Sequence, residues 1–170
     1  MGKFMPGANP HAVQTVKVGG GIMGAPAYWN GHLFYLPSND VLKDFAVQNG
    51  RLSNEPVARG KKTIVDPGAT PSISANGAED GIVWVLETKG WRSPDRPAIL
   101  TAYEARNVAN ELYNSEQNAA RDRAGIARRF VVPVVADGRV YVATSGEVDV
   151  YGLLSPAPKS PKRGLKARAN

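Results

Sequence analysis

The sequence predicts an all-β protein built from antiparallel strands in units of four. Three observations carry this prediction: abundant glycine and proline, a hairpin pattern that occurs three times, and an aromatic residue at a fixed distance from a glycine in each copy. The chain has 170 residues, of which 18 are glycine and 13 are proline. This abundance of turn-forming residues favours many short strands over long helices.

Each copy of the hairpin pattern has a proline, a short strand, an Asn-Gly or Asp-Gly pair and a second strand; the copies lie at 25–36, 70–86 and 132–143. An Asn or Asp followed by Gly tolerates the positive φ angles that a two-residue hairpin turn requires. Phe34, Trp84 and Tyr141 each stand three residues after a glycine (Gly31, Gly81 and Gly138). Because strand side chains alternate between faces, these aromatics are predicted to share one face and to pack between neighbouring units.

A further strand is predicted after each hairpin, with an aliphatic and an aromatic residue three positions apart: Leu42 and Phe45, Leu100 and Tyr103, Val148 and Tyr151. In the first copy a turn at Asn49-Gly50 then starts a fourth strand at Arg51. Antiparallel four-stranded units at intervals of about 40–50 residues are typical of β-propeller blades. Insertions at 88–97 and 115–128 account for the longer second interval.

The predicted organisation is a partial β-propeller over 1–154, followed by a disordered basic tail at 155–170. Within it, 1–18 is the end of a preceding blade, 19–58 and 66–114 are blades, the second with an insertion, and 129–154 is a last, shorter blade. Closed propellers have four to eight blades, so about three blades make an incomplete propeller. Its open edges and apolar faces are predicted to bind the remaining blades or another copy of the chain.

The segment 105–123 is open to two interpretations. Ala105, Val108, Ala109, Leu112 and Tyr113 follow the spacing of an amphipathic helix. The repeat instead places the outer strand of the second blade at 111–114. We favour a short helical turn near 107–110 followed by that strand.

The charge distribution argues against a nucleic-acid partner. The chain has 21 basic and 15 acidic residues, and five of the basic residues lie in 155–170, which leaves 16 basic against 15 acidic residues elsewhere. A basic tail rich in proline, alanine and serine is typical of a solvated end. The start of the chain lacks the apolar region of a signal peptide, and no run is long enough for a transmembrane segment.

The segment 42–54 resembles the quinoprotein-type propeller repeat, whose blades end in a pattern such as L-x-A-x-D-x-x-T-G-x-x-x-W. Leu42 and Gly50 match named positions of that pattern, and Leu100-Thr101-Ala102-Tyr103-Glu104 matches its first half with Glu in place of Asp. The resemblance covers about 19–154 and implies a C-terminal fragment of a bacterial propeller protein. It implies a periplasmic or extracellular location for the full-length protein.

Enzymes of that family bind pyrroloquinoline quinone and calcium, stack the quinone between a tryptophan and a disulfide of adjacent cysteines, and use an aspartate as base. This chain has no cysteine, so that disulfide cannot form. We therefore expect a non-enzymatic propeller module, a ligand- or protein-binding scaffold, with no cofactor. The alternatives are a fragment of a quinoprotein-like oxidoreductase that binds pyrroloquinoline quinone and calcium, and a structural remnant without activity.

No catalytic, cofactor-binding or metal-binding residue is assigned from the sequence. His11 and His32 are not spaced as a metal-binding pair, and a surface or sheet-edge position is favoured for each. The loop 76–81 carries oxygen-bearing side chains but lacks the spacing of a calcium loop, so it is interpreted as a lengthened hairpin turn. Gly19-Gly20-Gly21 lacks the Lys-Ser/Thr of a phosphate loop and is interpreted as a link into the first blade.

Two further groups of residues have structural interpretations. Trp29 and Trp84 are expected to pack between blades, and Trp91 to cover a loop, with cofactor stacking as the minority alternative. The arginines of the second insertion are expected to lie on a solvated surface, with anion binding as the weaker alternative: Arg121, Arg123, Arg128 and Arg129.

Overall fold

The structure is a computed structural model that describes residues 12–21 and 23–154. It confirms the all-β prediction, since nearly all of its regular structure is strand and every sheet is antiparallel. The elements of the described residues are β1 (Ala27–Trp29), β2 (His32–Tyr35), β3 (Asp40–Gln48), β4 (Arg51–Leu52), β5 (Ala58–Ile64), β6 (Ser72–Asn76), β7 (Glu79–Glu87), β8 (Ile99–Glu104), β9 (Glu111–Asn114), α1 (Ala119–Asp122), β10 (Val134–Ala136), β11 (Arg139–Ala143) and β12 (Val148–Gly152).

The strands form three sheets in chain order. Sheet I holds β1 to β5, sheet II holds β6 to β9 and sheet III holds β10 to β12. In sheet I, β4 and β5 both pair with β3, β4 at residues 47–48 and β5 at residues 40–44. Two strands, β4 and β5, therefore share the place of the predicted fourth strand beside β3. Sheet I continues to Ile64, beyond the predicted end at residue 58.

The predicted hairpin turns are present in sheets I and III. Both central residues of each turn have positive φ, 46° and 81° at Asn30-Gly31, and 47° and 67° at Asp137-Gly138. In sheet II, Asn76 pairs with Glu79, and the register shifts between Ser74 and Asn76. Gly81, from which the Trp84 offset was counted, therefore lies inside β7 rather than in the turn.

The three first hairpins share one register. Phe34 pairs with Ala27, Trp84 with Ser72 and Tyr141 with Val134. Each partner directly follows the leading proline of its copy, Pro26, Pro71 or Pro133. The predicted equivalence of the three aromatic residues is thereby confirmed. The prediction that all three pack between neighbouring units is wrong for Tyr141, because no further sheet of the described residues follows sheet III.

The hydrophobic core consists of two layers, one between each pair of successive sheets. Sheets I and II enclose the first layer, whose buried members are Trp29, Phe34, Leu36, Leu42, Ile64, Val83, Val85, Tyr103, Ala105 and Val108. Sheets II and III enclose the second layer, formed by Leu86, Ala98, Leu100, Ala124, Ala127, Val140 and Val142. Alternate residues of β7 therefore face opposite neighbours: Val83 and Val85 contact sheet I, whereas Leu86 and the half-buried Trp84 contact sheet III.

The ambiguous segment contains the predicted strand, β9, preceded by turns at 105–109. The insertion that follows carries α1 and places Ala124 and Ala127 in the second core layer. The insertion is therefore part of the packing between sheets II and III rather than a wholly solvated loop. The tail predicted at 155–170 lies outside the described residues, as do most residues of 1–18.

Candidate functional site

The most distinctive surface of the described chain is the side of sheet III that faces away from sheet II. We call it the open face; Arg139 and Gly152 lie at its edge, and its other residues are Val134, Ala136, Tyr141, Ala143, Val148 and Val150. The valine side chains are prominently exposed, at 57% for Val134, 61% for Val148 and 57% for Val150. The register explains the position of this face: in sheets I and II the equivalent sides, marked by Phe34 and Trp84, are packed against the next sheet.

The opposite end of the stack is covered. On the outer side of sheet I, Tyr35, Lys43 and Phe45 are buried. The Lys43 Nζ atom donates to the Val18 carbonyl oxygen at 2.6 Å, so the segment 12–21 crosses this side. The stack therefore has one largely covered end, on which Tyr28 remains 63% exposed, and one apolar open face.

The segment 12–21 is attached to sheet I without adding a strand to it. The Gln14 side-chain amide donates to the Leu52 carbonyl oxygen at 2.8 Å and accepts from the Leu52 N–H at 2.9 Å. These two bonds satisfy the backbone N–H and carbonyl groups of Leu52 at the edge of β4, as a neighbouring strand would. The sequence predicts the end of a preceding blade at 1–18, but no strand is present among the described residues of that range, 12–18.

A cleft of about 670 Å³ opens between sheets II and III. Trp84 and Ser74 form part of its wall on sheet II, Val135 and Val140 on sheet III, and the insertion contributes Arg121, Asp122 and Arg123 at its edge. The Trp84 Nε1 atom donates to the Ser74 Oγ atom at 2.8 Å. Both sheets thus supply apolar surface to a space that their side chains leave unfilled.

Hydrogen bonds fix one side of the cleft. The Tyr151 hydroxyl donates to the Asp122 carbonyl oxygen at 3.0 Å. The Arg121 guanidinium, which donates to the Asp122 carboxylate, holds the pKa of that carboxyl below its ordinary value. Burial, together with the negative charge of Asp122, raises the pKa of Tyr113 to about 12. Burial raises the pKa of Tyr151 as well, so both tyrosines are neutral hydrogen-bonding groups at physiological pH.

His32 has a carboxylate partner that the sequence analysis missed. Its Nδ1 atom lies 2.9 Å from Asp44 Oδ1 and 3.0 Å from Asp44 Oδ2, and its ring stacks on Phe34 with centroids 6.3 Å apart. Burial raises the pKa of the Asp44 carboxyl, and the hydrogen bond to His32 opposes that rise. The pair joins β2 to β3 on the side of sheet I that faces sheet II. His11 lies outside the described residues.

The three tryptophans have packing roles in the structure. Trp29 is buried between sheets I and II, and its Nε1 atom donates to the Gly77 carbonyl oxygen at 2.8 Å. Trp84 packs against the second core layer and borders the cleft. Trp91 is covered by the guanidinium groups of Arg92 and Arg129, at 4.5 and 4.3 Å from its ring centroid.

The remaining candidate groups are engaged in local contacts. In the loop 76–81, Glu79 forms an ion pair with Arg106, and Asp80 adopts a φ of 53° within a hairpin. The Gly21 carbonyl oxygen accepts from the Ser38 N–H at 2.8 Å, which ties the glycine segment to sheet I.

The arginines of the insertion are partnered as well. The guanidinium of Arg123 pairs with Glu116, and that of Arg128 donates to the Ser145 hydroxyl at 2.6 Å. Together with the Arg121–Asp122 pair and the stacking of Arg129 on Trp91, these contacts explain the arginine cluster by local structure.

The described residues offer no ligand set for the calcium ion of the quinoprotein alternative. No group of three or more His, Asp or Glu side chains suited to hold a metal ion occurs among them. The residues therefore do not fit that metal, and no reaction step is derived through it. No helix in the described ranges is long and apolar enough to cross a membrane.

Comparison of the chain with protein-family models, curated proteins and solved structures finds no match. The functional argument therefore depends on the geometry of the open face and of the cleft. Sequence reasoning identified the aromatic positions of these surfaces, but it did not identify Asp44 or the cleft.

Proposed function

We propose that this chain is a non-enzymatic β-propeller repeat module whose open face binds a further β-sheet of the same kind, supplied by remaining propeller blades or by another copy of the chain. The observation that carries the proposal is the exposure of Val134, Val148 and Val150. Equivalent faces of sheets I and II are each covered by the next sheet. A contiguous apolar surface of this kind is typical of an interaction site.

The covered end of the stack determines which assembly another copy can form. A head-to-tail contact would need the outer side of sheet I, where Lys43 and Phe45 are already buried. A face-to-face contact needs only the open face on both copies. This arrangement is a two-fold, self-complementary interface, and it closes at a dimer.

The chain contains no cysteine, which permits a labelling experiment with a single introduced thiol. Ala143→Cys places the thiol on the open face, and Ala120→Cys places a matched thiol on the exposed surface of α1. We expect the reaction of Cys at position 143 with a thiol reagent to slow as protein concentration rises, because association covers it. The thiol at position 120 should react at a constant rate.

A rate at position 143 that does not depend on concentration, with the fold intact by circular dichroism, would contradict binding of another copy at this face. Comparison of the two variants shows where the partner binds. Slowing at position 143 alone would indicate binding at the open face, whereas slowing at both positions would indicate general aggregation, which the proposal excludes.

A further inference from the structure

The cleft between sheets II and III occupies a place that a tryptophan side chain fills in the preceding layer. Trp29 pairs with His32, two residues along the hairpin from the Ala27–Phe34 pair. Ser74 pairs with Ile82 at the same distance from the Ser72–Trp84 pair. Trp29 and Ser74 also stand three residues after Pro26 and Pro71. Ser74 is therefore the sheet II counterpart of Trp29.

The space that Trp29 fills is tightly occupied in the first layer. A β-carbon on Gly81 would lie 2.6 Å from the Trp29 ring, so only glycine fits beneath the indole. Gly138 is the sheet III counterpart of Gly81, since it stands three residues before Tyr141 as Gly81 does before Trp84. A β-carbon on Gly138 would have no atom within 4 Å. The replacement of an indole by a hydroxymethyl group thus accounts for the empty volume between sheets II and III.

The walls of the cleft suit a flat aromatic group. The half-buried Trp84 ring, Ile82 and Val135 supply apolar contacts on two opposed sheets. Aromatic rings gain both buried area and ring contacts in such a site. The spacing between the sheets is maintained elsewhere by Leu86, Leu100 and Val142, so the cleft does not need to collapse.

Among the described residues, the edge of the cleft presents no unpaired cation to a ligand. Arg121 is paired with Asp122 and Arg123 with Glu116. Arg139 pairs with Ala136 and Gly152, so its side chain lies on the open-face side of sheet III, where a β-carbon on Gly152 would lie 2.5 Å from its Cδ atom. Because the Asp149 carboxylate also lines the cleft, an uncharged ligand fits it better than an anion.

From these observations we infer that the cleft binds a small, uncharged planar aromatic molecule of about indole size. The ring takes the place of the missing tryptophan between Ser74 and Val135. This inference does not depend on what binds the open face, because the ligand lies between two sheets of the same chain.

The test uses 5-fluoroindole as probe and fluorine NMR of the full chain as readout. We expect saturable line broadening with the wild-type protein and with Ser74→Ala, which keeps the volume open. Ser74→Trp installs the residue of the preceding layer and should abolish binding while the chain still unfolds cooperatively. Should Ser74→Trp fail to fold, Ile82→Trp places the same ring on the same side of sheet II and should have the same effect.

The charge of the ligand is tested separately. 5-Fluoroindole-3-acetate should bind more weakly than 5-fluoroindole, because its carboxylate would lie near the Asp149 carboxylate. Arg139→Gln should leave the binding of 5-fluoroindole unchanged, because that side chain lies on the other side of sheet III. No saturable binding to the wild type, or equal binding to the wild type and a folded Ser74→Trp protein, would overturn the inference.

Discussion

At the residue scale, identical register positions have different environments. Phe34 is fully buried between sheets I and II, whereas Tyr141, its counterpart in sheet III, lies on the open face. Burial of an aromatic side chain stabilises the fold only where a neighbouring surface covers it. The energetic value of the repeated aromatic therefore depends on the sheet that follows it.

Phe34→Ala should lower the free energy of unfolding by about 3–5 kcal/mol, because it leaves a cavity in a closed layer. Tyr141→Ala, the matched control, should cost less than about 1 kcal/mol when measured in dilute protein. Urea denaturation of the two variants measures both values. Equal costs would show that the open face is covered within the isolated chain.

The pair formed by the partly exposed His32 and the buried Asp44 predicts a dependence of stability on pH. Burial raises the pKa of Asp44 above its ordinary value of 3.8 despite the hydrogen bond to His32. The folded chain then retains this proton to higher pH than the unfolded chain does. Stability should therefore fall as the pH rises from 3.8 through the folded pKa.

Asp44→Asn should remove this part of the pH dependence, which denaturation from acid to neutral pH measures. Asp40 is the matched control. Burial acts to raise its pKa, but hydrogen bonds from Lys43 and from the Val41 N–H, with nearby positive charge, lower it below 3.8. Asp40→Asn should therefore remove a gain of stability with rising pH. If the free energy of unfolding of Asp44→Asn and of the wild type varied with pH in the same way, the raised pKa of Asp44 would be contradicted.

At the element scale, the contact between β1 and β7 depends on one glycine. The Trp29 ring lies against Gly81, where a β-carbon would approach it to 2.6 Å. Gly81→Ala should therefore cost about 1–3 kcal/mol through overpacking. In a Trp29→Leu background the same substitution should cost much less, and a double-mutant cycle measures that coupling. Additive effects would show that the two residues do not share this contact.

The strands of the hairpins were predictable because their signals are local. A proline, a turn pair and an alternating strand lie within about a dozen residues of one another, and strand period fixes which side chains share a face. The equivalence of Trp29 and Ser74 was available from the same offsets, since each stands three residues after its proline.

Other elements form through contacts that lie far apart in the sequence. The strand β5 is largely polar and exposed, with Lys61 and Lys62 near its centre, and it forms because it pairs with the edge of β3. Ala124 and Ala127 are too small to produce a clear hydrophobic pattern, yet both are buried. The pairing of His32 with Asp44 likewise follows from the alignment of β2 with β3, not from a motif.

At the scale of the whole molecule, the three sheets enclose two core layers, the second of which contains the cleft, and leave one apolar face open. The covered outer side of sheet I limits how another copy can add to the stack. The central claim is therefore that the open face is a binding surface for a further sheet, and that association of this chain with itself ends at a dimer.

Sedimentation equilibrium across a wide range of protein concentration tests this claim most directly. The wild type should shift from monomer to dimer, and the double variant Val134→Lys/Val150→Lys should remain monomeric because it places charges on the open face. The variant Val57→Lys/Leu112→Lys adds the same charge at exposed apolar residues elsewhere, and it should dimerise as the wild type does. A wild-type chain that stays monomeric at every concentration, or a dimer that Val134→Lys/Val150→Lys leaves intact, would contradict the account.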